Sequence, residues 1–440
     1  MLNQRTKRIL DLSLPIIGGM LSQNILNLVD TAMVGGLGNA ALAAMGLGGF
    51  ATFMLSALIT SMGSGVQSAA ARRKGEKKLS VVASPLNAAL ILALLIAPIW
   101  SSVWYFLTDW VYPFLNEDPE VIKLGSEYLR VRIIGITFVT FNFCFRGYWN
   151  AVDKSRLYLK TIIIMHVTNI ALNYLLIYGN LGFPELGVQG AGLATTLSVI
   201  LGSVIYFILA LKNERPKGFI SKLPTRLETL NQIRVSLNVG ITQFFFAAGL
   251  TALYWIIGKI GTAELAAANI LVNVTLVAIL PALGFGLSSA TLVGQALGRN
   301  DKSDAYNWGW DVAKFATGTV AVIGLPMFLF PEYIIPVFTN DPATLNLAKL
   351  PLTLSGVFLT LDCVGLIFMN SMQGAGYAKI PMYVSIVLQW GLYLPLCYLV
   401  GPTFGYGLTA VWICHISYRT IQSAIMAALW KKQYWQKAKV

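Results

Sequence analysis

Apolar residues run along this chain in long blocks separated by short polar breaks. The first six blocks lie near 9–34, 41–70, 81–108, 125–148, 157–178 and 187–211. Six more lie near 229–258, 264–296, 306–332, 345–370, 380–400 and 405–430. A helix needs about 20 apolar residues to cross a bilayer core, and each block reaches that length. The pattern therefore predicts twelve transmembrane helices, several long enough to tilt or protrude into water. The blocks do not alternate with period two, which a membrane β-barrel requires. The first block is too long for a cleaved signal and lacks a small-residue cleavage site, so it is read as the first span.

Composition agrees with the pattern. Of 440 residues, 56% are hydrophobic and only 12% are charged, against roughly a quarter charged in a soluble domain. The net charge of +13 does not indicate a nucleic-acid partner, because Lys and Arg sit in short clusters between apolar blocks, as cytoplasmic loops do. The N-terminus and alternate loops hold 23 of them, including Arg5, Arg72–Lys78, Lys212–Arg226 and Lys431–Lys439, whereas the opposite loops hold Lys123 and Lys259. That bias predicts both termini on the cytoplasmic side of the inner (cytoplasmic) membrane. The cysteines Cys144, Cys363, Cys397 and Cys414 are scattered among apolar residues and are read as packed free thiols. With only His166 and His415 as histidines, no metal site is expected.

The chain is also internally repeated. Under a shift of 223 residues, Gly35, Gly38, Ala40, Leu42, Ala43 and Ala44 fall on Gly258, Gly261, Ala263, Leu265, Ala266 and Ala267. Gly75 falls on Gly298, and Asp118-Pro119 on Asp341-Pro342. Matched glycines and Asp-Pro pairs in the loops are not what shared apolar composition alone would produce. The register slips only near Gly179–Gly187, where the first half has a longer external loop. Six spans is an even number, so both halves insert with the same orientation, related by an axis along the membrane normal. The expected architecture is an all-α integral membrane protein with two pseudo-symmetric six-helix lobes, 1–211 and 229–440, joined by a cytoplasmic linker, 212–228. Such paired lobes suit alternating access, which points to a transporter acting as a monomer in the lipid bilayer.

The candidate chemistry lies in polar residues inside the spans. An ionisable group at mid-membrane costs about 2.5–3.5 kcal/mol on insertion scales and is by default functional. Asp30 is the clearest, and its repeat counterpart is Leu253, so the shared scaffold does not require it. A helix-end role at the turn into Gly35-Gly36 is the structural alternative. Intramembrane amides accompany it at Gln23, Asn24, Asn27, Gln67, Asn142, Asn169 and Asn173. Asn169 and Asn173 are four apart and share a helix face. Amides hydrogen-bond a carboxyl in either protonation state, so a proton or Na⁺ can load and leave. Pro15, earlier in the same span, removes one helix hydrogen bond and permits a bend that protonation of Asp30 would control. Asp362 is a second interior acid, read as either a cation or substrate contact or a satisfied structural group. Asp311 and Lys314 are read as a surface pair on one helix, and His166 as neutral or packed in preference to a proton relay.

Several stretches resemble the multidrug and toxin extrusion (MATE) family. L-S-L-P-I (12–16), L-V-D-T-A-M-V-G-G-L-G (28–38) and A-L-A-A-M-G (41–46) are similar to its first-span signature. A-A-A-R-R-K-G-E (69–76), L-V-G-Q-A-L-G-R-N-D (292–301) and M-Q-G-A-G (372–376) resemble its later motifs. The resemblance implies a MATE/MOP-type fold and export of cationic, amphipathic drugs by inward H⁺ or Na⁺ flux, with no cofactor. In the DinF-like prokaryotic branch the first-span aspartate couples the cation, and Asp30 matches it. That branch's polar pocket carries over to Gln23, Asn169, Asn173, Thr195 and Thr196. Asn173 stands where an aspartate is common in the family, and a site with one carboxylate is a poorer Na⁺ cage, so H⁺ coupling is favoured.

Two other readings stay open at this stage. Na⁺-coupled efflux needs the same residues. A lipid-linked oligosaccharide flippase of the same superfamily would be expected to line its spans with phosphate-binding cations; here those are few. An intramembrane enzyme is disfavoured, because Ser, His, Asp and Cys form no recognisable constellation.

Overall fold

The computed structural model describes residues 4–438. Its helices in the first half are α1 (Gln4–Gly35), α2 (Asn39–Thr60), α3 (Met62–Gly75), α4 (Ser84–Val111), α5 (Pro119–Ile134), α6 (Ile136–Ala151), α7 (Ser155–Tyr178) and α8 (Gly187–Glu214). The second half has α9 (Arg226–Gly258), α10 (Thr262–Gly298), α11 (Lys302–Leu329), α12 (Pro331–Ile334), α13 (Pro342–Gly374), α14 (Lys379–Ile386), α15 (Leu394–Tyr398) and α16 (Gly407–Lys431). Among the described residues there is no β-strand.

All twelve apolar blocks form helix, and ten helices are long and apolar enough to cross a membrane, with α2 and α3 counted as one. The pair α5 and α6, bent by 49° at Gly135, is together long and apolar enough for an eleventh. The twelfth block forms α16, 25 residues long, whose polar middle, with His415, Ser417, Arg419 and Thr420, leaves it less apolar than the rest. It is the departure from the twelve apolar crossings expected.

The repeat is visible in where helices begin and end. Asn39–Gly75 and Thr262–Gly298 are both 37 residues long and lie 223 apart. The two Asp-Pro pairs start α5 and α13. Asp118 Oδ1 accepts from Glu120 N at 2.8 Å, and Asp341 Oδ2 accepts from Thr344 N at 2.9 Å. Each aspartate caps a free helix N–H, and the proline that follows supplies a φ already suited to the first turn. The halves differ where α13 runs straight through the position at which α5 and α6 bend. They differ again in the eleventh block, where π-helical turns at Val387–Tyr393 and Leu399–Thr403 adjoin or contain Pro395 and Pro402, which lack an N–H to donate.

The chain groups into two compact units, Gly18–Gly240 and Met1–Ile17 with Ile241–Val440. These boundaries lie within helices α1 and α9, elsewhere than the expected breaks at 211 and 229. In the first unit, the segment expected as a linker folds onto the start of α4. There Asn87 Nδ2 donates to the carbonyls of Gly218 and Lys222 at 2.7 and 2.6 Å, and Glu228 pairs with Arg73 at 2.9 Å. In the second unit, Arg5 pairs with Asp304 at 2.7 Å and with Asp311 at 2.5 Å, its guanidinium 3.8 Å from the Trp308 ring centroid. Asp311 is therefore held by Arg5, not by Lys314 as its helical spacing suggested; a cation from another element reaches it in a geometry that local spacing does not reveal. Arg5 and Glu228 occupy the same position in the repeat.

Each unit has its own core. Phe145, Tyr148, Trp149, Tyr206 and Phe219 are buried in the first. In the second, Trp430 stacks on Trp435 with ring centroids 3.9 Å apart, and on Phe368 at 5.6 Å. Large apolar side chains along α4, among them Ile91, Leu94, Leu95, Ile99 and Phe106, are exposed, as expected of a lipid-facing side. The four cysteines are free, three of them buried. Helices α3 and α6 approach closely at two glycines, because a Cβ on Gly147 would collide with the Gly63 carbonyl and one on Gly63 with the Phe143 carbonyl. Small residues at such crossings let backbones pack. Replacing Gly147 with leucine is expected to destabilise the first unit by about 1–3 kcal/mol or more, seen as a lower apparent Tm of the purified protein in detergent; an unchanged Tm would refute this packing.

Candidate functional site

Asp30 lies near the end of α1, half-buried. Its partners are amides on α7. Asn173 Nδ2 donates to Asp30 Oδ1 at 2.6 Å. The Asn169 amide, one turn away, satisfies its surroundings best with its nitrogen 2.9 Å from the same Oδ1 and its oxygen 3.1 Å from the Thr195 hydroxyl; amide orientation follows from the bonds the group must make. Thr195 Oγ1 is also 2.9 Å from the Ala191 carbonyl, an oxygen to which it can donate. Asn169 and Asn173 are fully buried. Their i, i+4 spacing places both on one face of α7, as the sequence pattern indicated. Four of the expected residues, Asp30, Asn169, Asn173 and Thr195, thus form one hydrogen-bonded string across α1, α7 and α8.

No ion pair to Asp30 is present among the described residues. Asn173 Oδ1 is buried without a hydrogen-bond partner. An orphaned acceptor costs free energy when buried. This one belongs to the amide that already donates to Asp30. If Asp30 is protonated, rotation of the amide would present this oxygen to the carboxyl O–H. An incoming cation would instead find it as a ligand.

A second polar group lies on the preceding turns of α1. Gln23 Nε2 donates to Asn27 Oδ1 at 3.2 Å. His166 of α7 has Nδ1 2.6 Å from Ser22 Oγ and Nε2 3.2 Å from Gln23 Oε1. His166, expected to be merely packed, is a cross-link between α1 and α7. Ser22 has no distinguishing sequence signal, and only its position about two turns before Asp30 on the same helix could have suggested it.

The remaining expected residues lie elsewhere. Asn142 donates to the Val199 carbonyl at 3.0 Å and accepts from Ser203 Oγ at 2.9 Å. Gln67 is buried on α3. Thr196 donates to the Val131 carbonyl at 3.0 Å. At the bend the Gly135 N–H turns to Arg132 O, leaving Val131 without its usual i+4 donor, and the Thr196 hydroxyl replaces it. Pro15 lies inside α1, which continues as helix from Gln4 to Gly35. In the second half, Asp362 of α13 is ion-paired with Arg419 of α16 at 2.5 Å. Among the described residues, no three of His, Cys, Asp and Glu gather as a metal site.

The family model MatE matches residues 15–175 and again 239–399. The chain belongs to the MatE family. The two matches to one model independently mark the internal repeat. The "Probable multidrug resistance protein NorM" of Thermotoga maritima is 27% identical over 440 residues, covering 99% of this chain and 94% of that protein. The "Multidrug resistance protein NorM" of Burkholderia vietnamiensis is 27% identical, covering 91% and 88%. A solved structure described as the outward-facing conformation of a multidrug resistance MATE family transporter of the MOP superfamily superimposes with a TM-score of 0.90 at 24% identity, covering 99% and 98%. This MatE protein is a multi-pass membrane transporter with the MATE/MOP fold.

Two measurements test the site geometry of the MatE chain. Asn173→Asp adds a second carboxylate beside Asp30, the kind of oxygen-rich cage that suits hard cations. Drug efflux by everted vesicles of that variant is expected to become Na⁺-stimulated, and indifference to Na⁺ would contradict the arrangement. Thr196→Val leaves the Val131 carbonyl without its replacement donor, so the apparent Tm should fall, consistent with a cost of about 1–3 kcal/mol.

Proposed function

We propose that this transporter exports cationic, amphipathic drugs from the cytoplasm, exchanging them for H⁺ at Asp30. The observation that carries the reading is an interior carboxylate held by two amides and by no basic side chain in salt-bridge contact. In a low-dielectric setting a carboxylate needs either a fixed counter-charge or a mobile one. Amides supply hydrogen bonds without neutralising charge, so neutralisation falls to an ion that arrives and departs. Asn173 serves both states, donating to the carboxylate and accepting from the carboxyl.

In this cycle, protonation of Asp30 removes the charge that the amides and a cationic drug compete to satisfy. The drug is released, and α1 bends at Pro15 as the carboxyl exchanges hydrogen-bond partners. Deprotonation to the cytoplasm restores the anion for the next drug. Alternating access follows because proton and drug each stabilise a different arrangement of α1. The protein acts as a monomer in the cytoplasmic membrane, both termini inside, the gradient its only energy source. The NorM relatives' names support drug export.

Na⁺ coupling is the second reading. It is favoured by the unpartnered Asn173 Oδ1, a hard oxygen donor beside a carboxylate, which is ligand chemistry suited to such cations. A lipid-linked oligosaccharide flippase would need interior cations for phosphate, and Arg419 is already joined to Asp362.

Asp30→Asn is expected to abolish efflux-dependent drug resistance in cells while membrane expression stays at the wild-type level. Normal efflux by that variant would end the proposal. Collapsing the proton gradient and the Na⁺ gradient in turn, in vesicles of the wild-type chain, separates the two coupling ions.

A further inference from the structure

The interior acid of the second half has its cation built into the chain. Asp362 Oδ1 is 2.5 Å from Arg419 Nη2, with the two side chains 13% and 18% exposed. Arg419 Nη1 donates to Gln422 Oε1 at 2.8 Å, and Gln422 Nε2 donates to Ser385 Oγ at 2.8 Å. Four side chains thus tie α13, α16 and α14 together. Helices α13 and α16 are in close contact at Gly365, where a Cβ would collide with the Ser423 hydroxyl. That close approach fixes the pair at short range.

The guanidinium is held between two oxygens, Asp362 Oδ1 and Gln422 Oε1. One carboxylate and one amide oxygen are also what a monovalent hard cation would take as ligands. Asp30 likewise has an amide against its carboxylate, Asn173 donating from Nδ2 at 2.6 Å, but no guanidinium in salt-bridge contact. The repeat makes the contrast sharper. The first half has Val139 where the second has Asp362, and the second has Leu253 where the first has Asp30. Asp30 and Asp362 each lie at a position that the other half leaves apolar, and the two acids differ in whether the counter-charge is tethered.

We propose that Arg419 is a built-in counter-ion that occupies the cation position beside Asp362, so that the second half takes no cation from solution. Arg419 is then a determinant of how many ions this transporter exchanges per cycle. A tethered cation cannot exchange with the medium, and displacing it would leave a buried charge uncompensated, which is strongly unfavourable. The number of sites, not the closure of Asp362, rests on Asp30 being the coupling acid.

The test uses the purified full chain carrying Asp30→Asn, so that only the second half can respond. Na⁺ is titrated in place of choline at alkaline pH and constant ionic strength, with intrinsic tryptophan fluorescence as the readout. Trp412 reports on the two helices concerned, since it lies on α16 with Arg419 and its indole N–H donates to Ser355 Oγ of α13, the helix of Asp362, at 2.8 Å. The Asp30→Asn chain is expected to be silent. Adding Arg419→Ala should produce a saturable Na⁺ response that free guanidinium suppresses and that a further Asp362→Asn removes. Arg419→Lys should stay silent, because it keeps the charge. A monodisperse Arg419→Ala chain with no Na⁺ response overturns the proposal. Should that variant not fold, the Asp30→Asn chain still decides: a Na⁺ response there that Asp362→Asn removes overturns it, and silence upholds it. Failure of Asp30→Asn to stop drug efflux would overturn the coupling reading instead, and leaves this result standing.

Discussion

The hydrogen bond from Asn173 to Asp30 places an ionisable group inside a helix bundle without giving it a neutralising partner. Water would solvate such a charge, and a nearby arginine would fix it. Two buried amides do neither, since they orient the carboxyl without neutralising its charge. The rest of the first half's polar interior is arranged around that condition. The Asn169 oxygen lies against Thr195, the i, i+4 spacing on α7 sets Asn169 beside Asn173, and the Ser22–His166–Gln23 bridge holds α1 against α7 on the preceding turns.

The duplicated scaffold provides a frame in which that condition can exist in one half only. Matched glycines and Asp-Pro caps make both halves start and stop their helices at equivalent places, because those positions answer to backbone geometry and unpaired helix N–H groups. The interior positions are free of that constraint. They have diverged to an acid among amides in one half and an acid joined to arginine in the other. A common fold with unlike interiors leaves one half with an acid held by amides and the other with an acid paired to arginine.

The first helix of each half begins with a charge clamp. Arg5 is held by Asp304 and Asp311, and Glu228, at the equivalent repeat position, by Arg73. The signs are reversed between the two, and the partners do not correspond under the repeat: Asp304 and Asp311 fall on Val81 and Ala88, and Arg73 on Ala296. Glu214, fully buried, accepts from the Tyr148 hydroxyl at 2.6 Å and pairs with Lys154 and Lys217, adding a third tie at the same basic, predicted cytoplasmic level of the first unit. The partly exposed pairs among these contribute little singly; together they anchor the starts of α1 and α9 and the end of α8.

Much was legible in the chain alone. Apolar blocks longer than a bilayer crossing determine membrane helices, because lipid leaves a backbone no other way to satisfy its polar groups over that distance. The repeat, the Asp-Pro caps, the lone acid at Asp30 and the shared face of Asn169 and Asn173 also follow from local spacing. Tertiary structure decided what spacing cannot express. It turned Asp311 toward Arg5, joined Asp362 to Arg419, sent Thr196 to the carbonyl freed at the Gly135 bend while Thr195 stayed with Asn169, and made His166 a bridge. Each of these depends on which side chains from distant segments come within hydrogen-bonding reach. Periodicity along one helix shows which face a residue lies on, but the partner on the neighbouring helix is chosen by packing.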